Sequence, residues 1–184
     1  PVLAHVDTDT DVLDAMAAGV SFLAHPPFAA PIGDEARAAA VTARGVHSTI
    51  GAFAAVGAVL DGTFDLERAD LLVGPGVVEN WRYVQDHPDV LLEGWAEASA
   101  EWAATGLANL ARLGDSGAVV LPGSDAGYYF VPHGLGLHAE LEALVALGGT
   151  PLEVLTLVTL TSREALGFPG GLVEAGAPAD LLVL

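Results

Sequence analysis

Two histidines and one aspartate end short apolar runs in this chain. His5 lies in VLAHVDT (2–8), His25 in VSFLAHPP (20–27) and Asp125 in GAVVLPGSDAG (117–127). Two imidazoles and a carboxylate are a donor set suited to Zn²⁺ or a similar divalent ion. Such an ion lowers the pKa of a bound water and polarises a substrate carbonyl, and a nearby carboxylate can accept the water's proton. Singly, each residue is ordinary. A strand-end His usually serves packing, and an Asp before Gly usually serves a turn or a helix cap. The recurrence at successive run ends is what points to a site.

The elements that must position them follow from pattern. A fourth run, GVHSTIGAF (45–53), joins the three above. All four are short, rich in β-branched residues and bounded by turn formers, as buried parallel strands are. Helices are expected between them. Thr8 or Thr10 caps DVLDAMAA with Gly19 as its stop, and Asp34 caps DEARAAAVTAR with Gly45 as its stop. Repeated βαβ units require a parallel sheet, and in a closed β/α barrel the strand C-termini converge on one face. A helical insertion, 54–116, separates the third and fourth strands and holds Trp81, Trp95 and Trp102, read as packing residues. A helix near 138–148 follows, then one opened by Thr150 and Pro151. LEALVALGGTPLEVLTLVTL reads as two buried helical segments. The tail 171–184 turns at Gly176–Pro178 and reads as a strand without a partner.

Composition narrows the function classes. The net charge is −18, from 24 acidic and 6 basic residues, and all six basic residues are Arg. So acidic a surface repels phosphate backbones, which argues against nucleic acid as a partner. Cysteine is absent, which removes disulfides and thiol chemistry. Mean hydropathy is high, +0.50, yet no uncharged run is long enough to span a membrane. The first residues carry no signal peptide, so a cytoplasmic location is the expectation.

Other polar and aromatic residues have two readings each. His133, in VPHG, either binds substrate or shapes the loop before the next helix. Tyr128 and Tyr129 either line a pocket or pack beneath that loop. His47 competes with Ser48 and Thr49 for the mouth of the sheet. His138 reads as a helix-start residue and His87 as solvated loop.

LAHVDTDTDVLDAMAAGVSFLAH resembles the fifth and sixth strands of the amidohydrolase superfamily barrel, in the branch of imidazolonepropionases and Xaa-Pro dipeptidases. GVHSTIGAF is similar to the seventh strand and LPGSDAG to the eighth. PHG, AEL, GGTPLEVLTLVT, SREALG and ADLLVL follow in the order of the family's C-terminal signature. The resemblance covers nearly all of the chain outside 54–116.

It implies an α/β chain forming strands five to eight of a TIM-like barrel over 1–170, with 171–184 returning to an appended β-sandwich. It implies that His5, His25 and Asp125 bind one or two divalent ions, zinc being the expected metal, and that Asp125 is catalytic. His133 and Tyr128 are expected to contact substrate. The reaction implied is hydrolysis of an amide-type carbon–nitrogen bond in a small molecule by a metal-activated water. A mononuclear deaminase-like enzyme and a non-catalytic barrel remnant or interaction module are the alternatives. The family's His-x-His pair and the bridging residue of its fourth strand, often a carboxylated Lys, have no counterpart here. The expectation is therefore a fragment, inactive alone and prone to self-association through its open edges, with a homo-oligomer possible.

Overall fold

The structure, a computed structural model, describes residues 1–71, 73–91 and 94–183, the side chains of residues 95 and 96 excepted. Four strands, β1 (Leu3–Ala4), β2 (Phe22–Leu23), β3 (Gly45–His47) and β4 (Val120–Leu121), form one parallel sheet in the order β1-β2-β3-β4. Leu3 pairs with Phe22, Phe22 with Gly45 and Val46 with Val120. The βαβ expectation therefore holds, but the ladders are much shorter than the apolar runs. The chain leaves each ladder where it turns toward the site. The Asp7 carbonyl, for instance, accepts the N–H groups of Phe28 and Ala29 at 3.1 and 3.0 Å, binding the loop after β2 to the end of β1.

Helix α1 (Asp9–Ala17) starts at Thr8, not Thr10. The Thr8 hydroxyl accepts from Asp11 N, and the Asp11 carboxylate accepts from Thr8 N at 2.8 Å, a reciprocal capping box. Gly19 follows with φ +78°, as expected of a helix stop. Helix α2 (Asp34–Ala40) corrects the expectation at both ends. Its cap is Gly33, whose N–H donates to Asp9 Oδ2 of α1 at 3.0 Å, so a neighbouring helix supplies the acceptor. Asp34 is the first helical residue and pairs with Arg37 at 2.9 Å. Gly45 is not the stop but the first residue of β3. A Cβ there would lie 2.4 Å from Leu121 Cδ1, so the sheet uses the missing side chain.

The insertion is helical and begins earlier than expected, with α3 (Ile50–Leu60), α4 (Leu66–Asp70), α5 (Pro75–Asp86), a 3₁₀ turn at Pro88–Val90, and α6 (Trp95–Asp115). The sequence of α3, IGAFAAVGAVL, is apolar on all sides. A helix of that kind must be covered all round, and α3 packs against α5, α6 and α7 (Leu135–Ala146). Trp81 is buried beside Phe64, and Trp102 packs on Phe28, as read; the side chain of Trp95 lies outside the described residues. One core cluster lies around Val6, Val12, Leu23, Val46 and Leu113. A second joins Val56, Val59, Val78, Trp81 and Phe130.

Helix α8 (Pro151–Thr156) is capped by Thr150 and Glu153, as its opening residues suggest. A π turn, Leu157–Thr161, carries it into α9 (Ser162–Leu166). The expectation that this region is buried does not hold. Leu147, Leu152 and Leu155 are exposed, because no described residue covers their faces. Residues 171–183 form no strand; Val183 is fully exposed, and Arg163 ties the tail back through Asp180 at 2.7 Å. Residue 184 lies outside the described residues. No described helix is long and apolar enough to cross a membrane.

Candidate metal centre

The ends of β1, β2 and β4 converge. His5 follows β1 directly, His25 lies two residues beyond β2, and Asp125 stands on the loop after β4. All three line one cavity of about 70 Å³, together with Thr49, Phe53, Trp102 and Tyr128. Phe28 closes one side, with ring centroids 5.2 Å from His25, 5.4 Å from Phe53 and 5.6 Å from Trp102.

His25 is buried and its ring is fixed from behind. Its Nδ1 lies 3.1 Å from the Pro26 carbonyl, which can only accept, so the proton sits on Nδ1 and Nε2 presents a lone pair. His5 Nδ1 lies 2.6 Å from that Nε2. His5 therefore donates through Nδ1, which leaves Nε2 of a neutral ring as a lone pair. That Nε2 faces Asp7 Oδ1 at 2.7 Å. Asp7 Oδ1 is buried and has no hydrogen-bonding partner. Two acceptors at this distance need an added positive charge between them, supplied by a proton or a metal ion. Asp7, His5 and His25 place one ligand atom each within 4.8 Å of one another. The orphaned carboxylate oxygen and the nitrogen–oxygen donor set fit a divalent ion.

Burial pushes the His25 pKa down, and the neighbouring His5 adds to this; the Pro26 carbonyl and the charges of Asp125 and Asp7 oppose it. A neutral imidazole is the form that ligates metal. Asp125 is exposed, has φ +50° and is not part of the tight three-residue cluster, but its charge is felt at His25. Its carbonyl accepts from Tyr128 N at 3.1 Å, which folds the loop so that Tyr128 reaches the same cavity.

His133 is not in this cavity. It lines a wider groove that also contains Tyr128 and Tyr129. Of the three candidates on the third run, Thr49 reaches the cavity, with φ +47°. His47 turns to the Pro122 carbonyl at 3.4 Å, and burial lowers its pKa. Ser48 turns to Glu140. His87 is exposed at the end of α5, stacked on Tyr83 at 4.4 Å, and His138 falls in the first turn of α7.

Two residues escaped sequence reasoning. Asp7, in HVDTD, was hidden among capping residues, although its place two residues after His5 is the available signal. Glu140, inside AELEAL, looks like a solvated helix residue but is completely buried. It accepts from Ser48 Oγ and from Gly51 N at 2.6 Å. It thus caps α3, whose own cap residue Thr49 makes no side-chain bond. Burial pushes the Glu140 pKa up, opposed by these hydrogen bonds.

The loop after His25 is clamped from the insertion. Asn109 of α6, almost fully buried, donates to the Pro27 and Ala30 carbonyls at 2.8 Å each and accepts from Ile32 N at 2.9 Å.

Comparison with known proteins agrees with this architecture. A solved structure described as a "putative prolidase", from Bifidobacterium longum, superposes with a TM-score of 0.67 at 22% identity, over 97% of this chain and 39% of that one. The chain thus spans about two fifths of the length of that protein and shares its fold over that part. No curated protein matches the chain. The model of the amidohydrolase family matches residues 1–184, and the chain belongs to that family.

Proposed function

We propose that these residues form the C-terminal half of the barrel of a metal-dependent hydrolase that cleaves an amide-type carbon–nitrogen bond in a small molecule. The observation that carries this reading is the orphaned Asp7 Oδ1 facing His5 Nε2, beside His25, in a cavity that Asp125 also lines. His5, His25 and Asp125 are the proposed ligands, and Asp7 joins them or orients His5. A bound divalent ion, zinc in the proposal, would make a water nucleophilic at neutral pH and polarise the substrate carbonyl.

The chain's own groups do the rest. The Pro26 carbonyl holds His25 in the tautomer that turns Nε2 to the cavity. Asp125 takes the proton of the attacking water and passes it to the leaving nitrogen. Phe28, Phe53 and Trp102 exclude bulk water and strengthen the electrostatics inside. The remaining ligands are proposed to lie in residues outside these 184.

The test uses the full-length protein with Zn²⁺ and a panel of dipeptides, N-acyl amino acids and cyclic amides. Turnover that Asp125→Asn reduces by about 10²-fold or more, with the metal retained, is the expected result. Equal turnover in that variant, or none with any substrate in a metal-loaded protein, would remove the hydrolase reading. Metal analysis of the same samples distinguishes one ion from two.

A further inference from the structure

Tyr128 borders more than the metal cavity. The same side chain also lines a second, open groove of about 970 Å³. One wall is the insertion: Val77, Trp81 and Val84 of α5. The facing wall is the loop that leaves Asp125, including Tyr129, Val131 and Pro132. The walls are joined at their base by Trp81 and Phe130, edge to face at 6.1 Å.

The charge of this groove is unlike that of the rest of the chain. The protein carries 24 acidic residues, yet none of the described residues lining the groove is charged at neutral pH, His133 being counted as neutral. Among the described lining residues, side-chain polar atoms come from Asn80, Trp81, Tyr128, Tyr129 and His133. An ionised group entering the groove would meet no opposite charge among the described lining residues, whereas an apolar group gains by leaving water.

We propose that this groove is a substrate subsite for a neutral, apolar substituent, an aryl or branched alkyl group, on the molecule whose reacting carbonyl sits in the metal cavity. The proposal rests on the hydrolase reading above for the reaction and adds the chemical class of the substrate. Tyr128, on the loop that carries Asp125, lines both the groove and the cavity, and this shared residue is what ties the surface to the site. The insertion thereby acquires a role in selectivity, since α5 supplies a whole wall.

The experiment has two arms in the full-length protein. The first is titration with the neutral fluorescent probe N-phenyl-1-naphthylamine, which needs no catalysis. Val77 is partly exposed on the groove wall, so Val77→Asp places a charge there without emptying the core. Val145→Asp, on an exposed position of α7 away from the groove, is the control. Val77→Asp is expected to weaken probe binding by about tenfold, and the control to leave it unchanged. Equal binding by the wild type and both variants, or loss in the control alone, overturns the subsite. The second arm compares kcat/KM for N-acetyl-phenylalanine with that for N-acetyl-aspartate. A ratio above about tenfold that collapses in Val77→Asp supports the subsite, and a ratio near one overturns it. Probe binding that responds to Val77→Asp in a metal-loaded protein that turns over no member of the substrate panel above would keep the groove and discard the hydrolase.

Discussion

His5 and His25 stand ring to ring, with facing nitrogens 2.6 Å apart and planes at 82°, because β1 and β2 end side by side in parallel register. The contact polarises the pair in one direction, from the Pro26 carbonyl through both rings to Asp7. Zinc binding should therefore depend on all three side chains unequally. His25→Ala is expected to lower Zn²⁺ affinity by more than about tenfold, and Asp7→Asn by about tenfold, in titration calorimetry of the full-length protein. Unchanged affinity in both variants would separate the cluster from any metal role.

Asn109 hydrogen-bonds the 27–32 loop from α6. Replacing it with Ala strands the buried Pro27 carbonyl, the partly buried Ala30 carbonyl and the buried Ile32 N–H. The expected loss is about 2–4 kcal/mol in denaturant unfolding. Asn109→Asp should be worse than Ala, because a carboxylate would face the Pro27 and Ala30 carbonyls at hydrogen-bonding distance. A milder effect for Asp than for Ala would contradict this account.

Glu140 makes stability depend on pH in the unusual direction for a carboxylate. Its folded pKa lies above the ordinary 4.5 because it is buried. Between 4.5 and the folded value, the native state holds more protons than the unfolded chain, so stability falls as pH rises through that window. Glu140→Gln should flatten this slope, measured as unfolding free energy against pH. Glu140→Ala, which removes the acceptor of Gly51 N and leaves Ser48 Oγ with the Leu121 carbonyl alone, should cost about 2–3 kcal/mol at neutral pH.

Thr8→Ala opens the capping box of α1, at an expected cost of about 1 kcal/mol. Its hydrogen bonds to Asp11 hold that carboxylate below its ordinary 3.8. The stabilisation is thus present above 3.8 and lost as pH falls through the lower folded value, a small effect because Asp11 is solvated. Thermal melts at pH 7 and pH 3 should show a larger wild-type advantage at pH 7; the reverse order would refute it.

The 184 residues expressed alone should self-associate and hydrolyse nothing. Val2 and Leu3 on the β1 edge, Leu152 and Leu155 on α8, and Phe168 beyond α9 are exposed apolar surface. Light scattering that reports a clean monomer with cooperative unfolding would oppose the fragment reading.

The alternation of strand and helix was legible because each apolar run ends on a polar turn, and the two capping boxes were legible from Thr8 and Thr150. The convergence of His5, His25 and Asp125 on one cavity was legible from their common place after strands. Glu140 was not, because its partners are distant in sequence, Ser48 just past β3 and Gly51 on α3, and its own neighbours suggest solvent. Gly33 was not read as a cap, because its acceptor belongs to Asp9. The lengths of the strands were overestimated, since an apolar run marks burial and not pairing, and residues such as Val6 are buried without lying in a ladder.

The pairing of β3 with β4 spans the whole insertion. Ser48 N–H bonds to the Leu121 carbonyl, although residues 49–120 lie between them. Closing so long a loop costs entropy that local contacts do not repay. β1, β2 and β3 can meet early, from within the first 47 residues, whereas β4 must wait for the inserted helices to dock. Pulse-labelled hydrogen exchange during refolding should therefore protect Ala24 N–H, bonded to Ala4, before Ser48 N–H. Asp125 would then be the last of the site residues to arrive, so that a folding intermediate holds both histidines but not yet the proposed proton carrier.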